Sequence, residues 1–129
     1  MSRLIVVDDN ASDIDLLSIA VETYHPEVVV LPCPLAADPV RFISEQARPE
    51  DIILIDLNMP AIDGFTVLER LRRARPDLQR VAILSGSPNP ADRARALALG
   101  AAEVLRKPDR FAQWPAMLTS ILALAEPRP

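Results

Sequence analysis

Five polar positions in this chain could do chemistry together: the adjacent carboxylates Asp8 and Asp9, the carboxylate Asp56, the hydroxyl of Ser85 and the ammonium of Lys107. Each follows a short, mainly apolar run, so each falls where a strand would leave the core. Two carboxylates about 4 Å apart repel by roughly 4 kcal/mol at an effective dielectric near 20. A crevice that gathers three of them therefore calls for a cation. Oxygen-only donors in an open crevice point to Mg²⁺, which keeps several waters and bridges protein carboxylates to phosphate oxygens. Lys107 adds a compact positive charge suited to a phosphoryl oxygen, and Ser85 a hydroxyl donor. With no histidine or cysteine expected nearby, the nucleophile is a carboxylate or a serine. A serine needs a base, whereas an ionised aspartate forms an acyl phosphate directly, which favours Asp56. Lys107 stands out in one further way: thirteen of the fourteen Lys and Arg residues are Arg, and it is the single lysine.

The elements that must position these groups are legible in the hydrophobic pattern. Ile52-Ile53-Leu54-Ile55 is an unbroken aliphatic run, which reads as a strand buried on both faces. Pro60 lacks an N–H and disfavours helix at Met59, so the chain turns there, in a loop whose Gly64 can supply a positive φ. Leu4–Val7, Val28–Leu31, Val81–Leu84 and Glu103–Arg106 read as the other strands. Between them lie helical stripes: Ile14, Leu17 and Val21 with Leu16, Ala20 and Tyr24; Val40, Ile43 and Ala47 after Asp38-Pro39; Phe65, Leu68 and Leu71; and Ala91–Leu99, capped by Gly100. Asn10 or Ser12 can cap the first helix. Arg70, Arg72, Arg73 and Arg75 read as the solvated side of the third. The last helix carries Leu118, Ile121, Leu122 and Ala125, and Pro115 suits a start at Trp114. Trp114 and Phe111 read as cover for the core ahead of the other reading, the edge of a partner surface. Alternation of five strands and five helical segments implies an α/β fold, a parallel sheet with helices on both faces. If the second strand is an edge and the first and third are neighbours, the five groups converge at the topological switch point.

Composition narrows the function classes. At 129 residues one domain fits, spanning 1–129, and no output domain is expected after the last helix. No apolar run approaches the roughly 20 residues a bilayer crossing needs, and no signal peptide is apparent, so no membrane partner and a cytoplasmic location are expected. One cysteine, Cys33, and one histidine, His25, supply neither a disulfide nor a zinc site. A formal net charge of −4 argues against direct nucleic-acid binding.

Val7-Asp8-Asp9, Asp56-Leu57-Asn58-Met59-Pro60 followed by Gly64, Ser85 and Lys107-Pro108, in this order and spacing, resemble the receiver domain of bacterial response regulators. The resemblance covers nearly the whole chain, with the character of a single-domain, chemotaxis-type receiver. It implies a doubly wound, flavodoxin-like (βα)5 fold with strand order 2-1-3-4-5. It also implies that Asp56 accepts a phosphoryl group from a sensor histidine kinase. Asp9, Asp56 and the backbone carbonyl of Asn58 would bind Mg²⁺, with Asp8 helping through water. Ser85 would move to the phosphoryl group on activation, and Lys107 would contact it through a Lys107–Pro108 bond that is usually cis. Pro60, Gly64 and Pro108 would shape the loops. Such a chain signals to a downstream protein target and can form a homodimer. The Asp9-Asn10 step with Asp13, Leu16 or Leu17 and Ala20 is loosely similar to stand-alone receivers paired with phytochrome-type kinases. Two departures stand out: Val104 occupies the position where the family often has a switching aromatic, and Asp109 follows Pro108 where a phenylalanine is common.

Two other readings compete. A haloacid-dehalogenase-type phosphatase also places an aspartate after an apolar strand with Mg²⁺, but it needs an acid two residues on, where this chain has Asn58. A receiver used only for docking would have lost part of its acidic cluster, and none is missing here.

Overall fold

The computed structural model describes residues 2–125. Five parallel strands, β1 (Arg3–Val7), β2 (Val29–Pro32), β3 (Ile52–Asp56), β4 (Val81–Ser85) and β5 (Glu103–Arg106), form one sheet in the order β2-β1-β3-β4-β5. Five helices connect and cover them: α1 (Ala11–Tyr24), α2 (Pro39–Gln46), α3 (Gly64–Ala74), α4 (Pro90–Ala98) and α5 (Trp114–Leu122). This is the doubly wound arrangement expected from the alternation and from the receiver-like motifs. Among the described residues no helix is long and apolar enough to cross a membrane.

The aliphatic run of β3 explains the layering. Ile53 and Ile55 join Ile5, Val7, Val81 and Ile83 on one face, against α2, α3 and α4; Ile52 and Leu54 join Leu4, Val6, Ala82 and Leu84 on the other, against α1 and α5. All four β3 aliphatics are fully buried, each contributing roughly 1.5–3 kcal/mol. The edges differ: Val29 in β2 is half exposed. Trp114 is buried in the α1/α5 layer as expected, but Phe111 is not core cover. It lies in a 3₁₀ turn (Phe111–Gln113) and packs on the exposed ring of Tyr24, with centroids 6.1 Å apart.

Helix starts follow local capping chemistry. Asn10, Asp38, Asp63 and Asn89 each accept backbone N–H groups of the turn that follows, and Pro39 and Pro90 open α2 and α4. α4 thus begins one residue before the expected Ala91. In α1 the buried stripe is narrower than the pattern implied, being Leu17, Ala20 and Val21, while Leu16 and Tyr24 are exposed.

Three further expectations change. Gly64 does not have a positive φ; Gly100, at 105°, is the only described residue that does. Gly64 is required by contact instead, because a Cβ there would lie 2.7 Å from the carbonyl oxygen of Asp56 and 2.8 Å from the Cα of Leu57. The arginine row of α3 is not uniformly solvated. Arg75 donates to the carbonyls of Ser44 and Ala47 and pairs with Asp77, tying α3 to α2, and Arg72 donates to the Leu78 carbonyl. No described peptide bond is cis, so Lys107–Pro108 has the trans form that Xaa-Pro bonds favour by about 0.5–1 kcal/mol.

At the amino end of the sheet, Arg3 Nη2 lies 2.6 Å from the buried Asp51 carboxylate and also donates to the Gln46 carbonyl. Arg3→Ala is expected to cost about 1–3 kcal/mol in urea unfolding, because Asp51 keeps only the Arg48 N–H as a polar partner. Gly64→Ala is expected to cost a similar amount, about 1–3 kcal/mol, since both obstructing atoms are backbone and cannot rotate away.

Candidate functional site

Register places the acidic groups side by side. Val7 of β1 pairs with Ile55 of β3, so Asp8, the next residue, emerges beside Asp56 at the carboxyl end of the sheet. Asp56 in turn pairs with Leu84, and Ser85 with Arg106, which puts Ser85 and Lys107 at the ends of the next two strands. Two backbone bonds fix this rim: Leu57 N–H to the Leu84 carbonyl at 2.9 Å, and Lys107 N–H to the Ser85 carbonyl at 2.8 Å. The β3–α3 loop, which contains Pro60, closes with Gly64 N–H donating to the Leu57 carbonyl at 2.9 Å. Gly64 thus lets α3 start against the backbone that carries Asp56.

Asp8, Asp9 and Asp56 each contribute a carboxylate oxygen to a group whose atoms lie within 4.8 Å of one another. Asp8 and Asp56 are buried and Asp9 is exposed, so the group opens to solvent on one side. Lys107 Nζ enters the same crevice, 2.8 Å from Asp8 Oδ2, 2.8 Å from Asp13 Oδ2 and 3.3 Å from Asp56 Oδ1. Ser85 is buried, and its Oγ accepts the Ser87 N–H at 3.2 Å. Asn58 is exposed, and its N–H donates to Asp56 Oδ1 at 3.4 Å. Val104 is buried in the α2/α3/α4 layer.

Four of the expected groups, Asp8, Asp9, Asp56 and Lys107, therefore meet in one crevice, and Ser85 lines its rim on β4. Asp13 was not expected among them. It sits 94 residues from Lys107, and in the sequence it is an acidic residue in the first turn of a helix, noted only within the loose resemblance to stand-alone receivers.

The electrostatics follow from this crowding. Burial, and then the charge of Asp8, push the Asp56 carboxyl up to about 6, against the opposing pull of Lys107 and the Asn58 N–H. For Lys107 burial acts to lower the pKa, but hydrogen bonds to Asp13 and Asp8 and the charges of Asp8 and Asp56 outweigh it and hold the ammonium above its ordinary value. The donor set of three clustered carboxylates, with no thiolate or imidazole, fits a hard divalent cation such as Mg²⁺.

Residues 4–119 match the family of response regulator receiver domains. Over 109 residues the chain is 38% identical to protein-glutamate methylesterase/protein-glutamine glutaminase 6 of Anaeromyxobacter dehalogenans, a match covering 84% of this chain and 30% of that protein. It is 40% identical over 85 residues to the transcriptional activator protein IrlR of Burkholderia pseudomallei, covering 64% of this chain and 36% of that one. The chain thus spans about a third of the length of these curated relatives. In fold it is similar to the response regulator domain of Thermotoga maritima CheB, with a TM-score of 0.81, 22% identity and coverage of 100% and 99% of the two chains. The signal receiver domain of the response regulator NarL from Mycobacterium tuberculosis aligns with a TM-score of 0.75 and 26% identity, covering 98% and 97%.

The raised Asp56 pKa makes a signed prediction. A carboxyl whose pKa is higher folded than unfolded contributes stability that is fully present below the unfolded value near 3.8 and is lost as pH rises through about 6. With metal chelated, Asp56→Asn should therefore melt above the wild type at about pH 7.5, and the gap should shrink towards about pH 4.5. Calorimetric melting at the two pH values checks this; a gap independent of pH would contradict the assigned burial of charge.

Proposed function

The chain belongs to the response regulator receiver domain family, a component of two-component signalling, and from that membership we propose that Asp56 is its phosphoacceptor, charged by a sensor histidine kinase and read by a downstream protein. The observation that carries this reading is the position of Lys107, whose ammonium lies between the Asp8 carboxylate and Asp56 in a crevice that also holds Asp9. Nucleophile, acidic donor set and phosphoryl-binding cation are thereby one unit.

In this reading a carboxylate oxygen of Asp56 attacks the donor phosphorus. An oxygen–phosphorus bond forms, the phosphorus–nitrogen bond of the kinase phosphohistidine breaks, and the imidazole nitrogen leaves with the electron pair. Lys107 donates to a phosphoryl oxygen, and the Ser85 hydroxyl supplies a second donor from β4. Asp9, Asp56 and the Asn58 carbonyl, with Asp8 nearby, are the residues that would hold Mg²⁺. The cation would neutralise charge on the transferring group.

The same site argues against turnover as an enzyme. The phosphatase alternative needs a carboxylic acid where Asn58 stands, and a neutral amide cannot transfer the proton. The methylesterase activity in the name of a relative belongs to a protein of which this chain matches 30%. The sole histidine, His25, ends α1 at the opposite end from the acidic cluster and pairs with Glu27 at 3.6 Å, so it cannot serve as a base for Ser85. An intact acidic cluster also speaks against a purely docking role. We read residues 1–129 as one receiver unit acting in the cytoplasm, with a kinase of the phytochrome-associated type and a second copy of the chain among its candidate partners.

Incubation with Mg²⁺ and acetyl phosphate is expected to add one hydroxylamine-labile phosphoryl group per chain. Asp56→Ala, or chelation of the metal, should reduce labelling to background. Wild-type labelling in the Asp56→Ala variant would remove Asp56 from the role, and steady phosphate release from p-nitrophenyl phosphate would favour the hydrolase.

A further inference from the structure

Lys107 has three N–H donors and faces three carboxylates. Two of the contacts are at full hydrogen-bond distance, to Asp8 Oδ2 and Asp13 Oδ2, both 2.8 Å, while Asp56 Oδ1 stands back at 3.3 Å. The ammonium is thus held beside the nucleophile without closing on it. Of the two holding carboxylates, only Asp8 belongs to the clustered acidic group; Asp13 lies outside it. A cation drawn to Asp8, Asp9 and Asp56 competes with Lys107 for Asp8 but leaves Asp13 to it.

Asp13 is itself fixed by the chain that carries the acidic pair. Asp8 Oδ1 accepts the Asn10 N–H at 2.9 Å, and Asn10 Oδ1 caps α1 by accepting the N–H groups of Ser12 and Asp13 at 3.0 and 3.3 Å. The stretch from Asp8 to Asp13 is therefore one hydrogen-bonded unit that sets both contacts of the lysine. The Asp13 side chain is 36% exposed, so its place is explained by Lys107 rather than by core packing.

We propose that Asp13 is a positioning residue. It anchors the Lys107 ammonium through the bond that the metal-binding carboxylates do not share, and so keeps the third donor aimed at the oxygen that arrives on Asp56. This inference rests on the phosphoacceptor reading of Asp56.

The test is a double-mutant cycle on the full chain, with the labelling rate by acetyl phosphate at saturating Mg²⁺ as readout. Asp13→Ala is expected to slow labelling about tenfold when Lys107 is present, and to change it by less than about twofold in a Lys107→Ala background. Asp13→Asn keeps an acceptor oxygen and should recover most of the loss. Circular dichroism on each variant confirms folding; should Asp13→Ala fold poorly, Asp13→Ser, whose shorter side chain cannot span the contact to Lys107, takes its place in the cycle. Equal slowing in both backgrounds, or an unchanged or faster rate for Asp13→Ala, overturns the inference while leaving Asp56 as phosphoacceptor. Failure of the wild type to label at Asp56 overturns the underlying reading and the inference with it.

Discussion

A single ammonium group balances the carboxylates gathered at the carboxyl end of this sheet. Parallel pairing of β1 with β3 forces Asp8 and Asp56 to emerge as neighbours, and the turn after β1 adds Asp9 to the same crevice. Left alone, these charges would oppose the register that the aliphatic residues of β1 and β3 impose. Lys107, delivered from β5, supplies the counter-charge with contacts to Asp8, Asp13 and Asp56. The buried strand residues fix where the carboxylates go, and the lysine makes that placement tolerable. As the chain's only lysine, it occupies the one position where a compact, three-donor cation suits three converging carboxylates better than a planar guanidinium.

Beyond the site, Val104 stands where receiver domains often carry an aromatic. Val104 is packed into the core, and it has no ring to change rotamer. α4, which follows Ser85 after a short loop, is fastened elsewhere. Arg93 pairs with Glu103 at 2.8 Å and donates to the Val104 carbonyl at 3.3 Å, and the Arg95 guanidinium lies 4.2 Å from the centroid of the Phe65 ring. α4 is therefore tied to β5 on one side and to the start of α3 on the other. Both ties are made by exposed or half-exposed arginines, which exchange partners at lower cost than a buried ring reorients. Any displacement of the loop after Ser85 must be carried through, or must break, these contacts.

Much of this was legible in the sequence because the relevant signals are local. Four consecutive aliphatics before Asp56 read as a strand buried on both faces, and the other chemical groups lie at the ends of short, mainly apolar runs. The strand order and the meeting of Asp8, Asp9, Asp56 and Lys107 came from the ordered motifs rather than from any one of them. What escaped were properties set by distant neighbours. Gly64 reads as a turn glycine, but it is needed because α3 begins against the backbone of Asp56. Arg75 reads as part of a solvated row, yet it satisfies two carbonyls at the end of α2. Leu16 and Tyr24 extend the apolar stripe of α1 without being buried, since periodicity marks a face and not how much of it the neighbouring layer covers. Asp13 belonged only to the loose resemblance of the first helix, and its contact with Lys107 had no signal, because the partner lies 94 residues away.

The position of Lys107 also bears on whether Asp56 can act as a nucleophile. Burial and the nearby Asp8 favour the protonated acid, which has no attacking lone pair of the required strength, whereas Lys107 and the Asn58 N–H favour the anion. The carboxyl is raised to about 6, because burial and the Asp8 charge outweigh the ammonium and the Asn58 N–H. A lysine in closer contact would ionise Asp56 more fully, but in the proposed reaction it would also compete for a carboxylate oxygen. A lysine further away would leave the acid protonated. Held by Asp8 and Asp13, Lys107 pairs with Asp56 at the longer distance of 3.3 Å, which in the proposed reading steadies the carboxylate without being its closest partner.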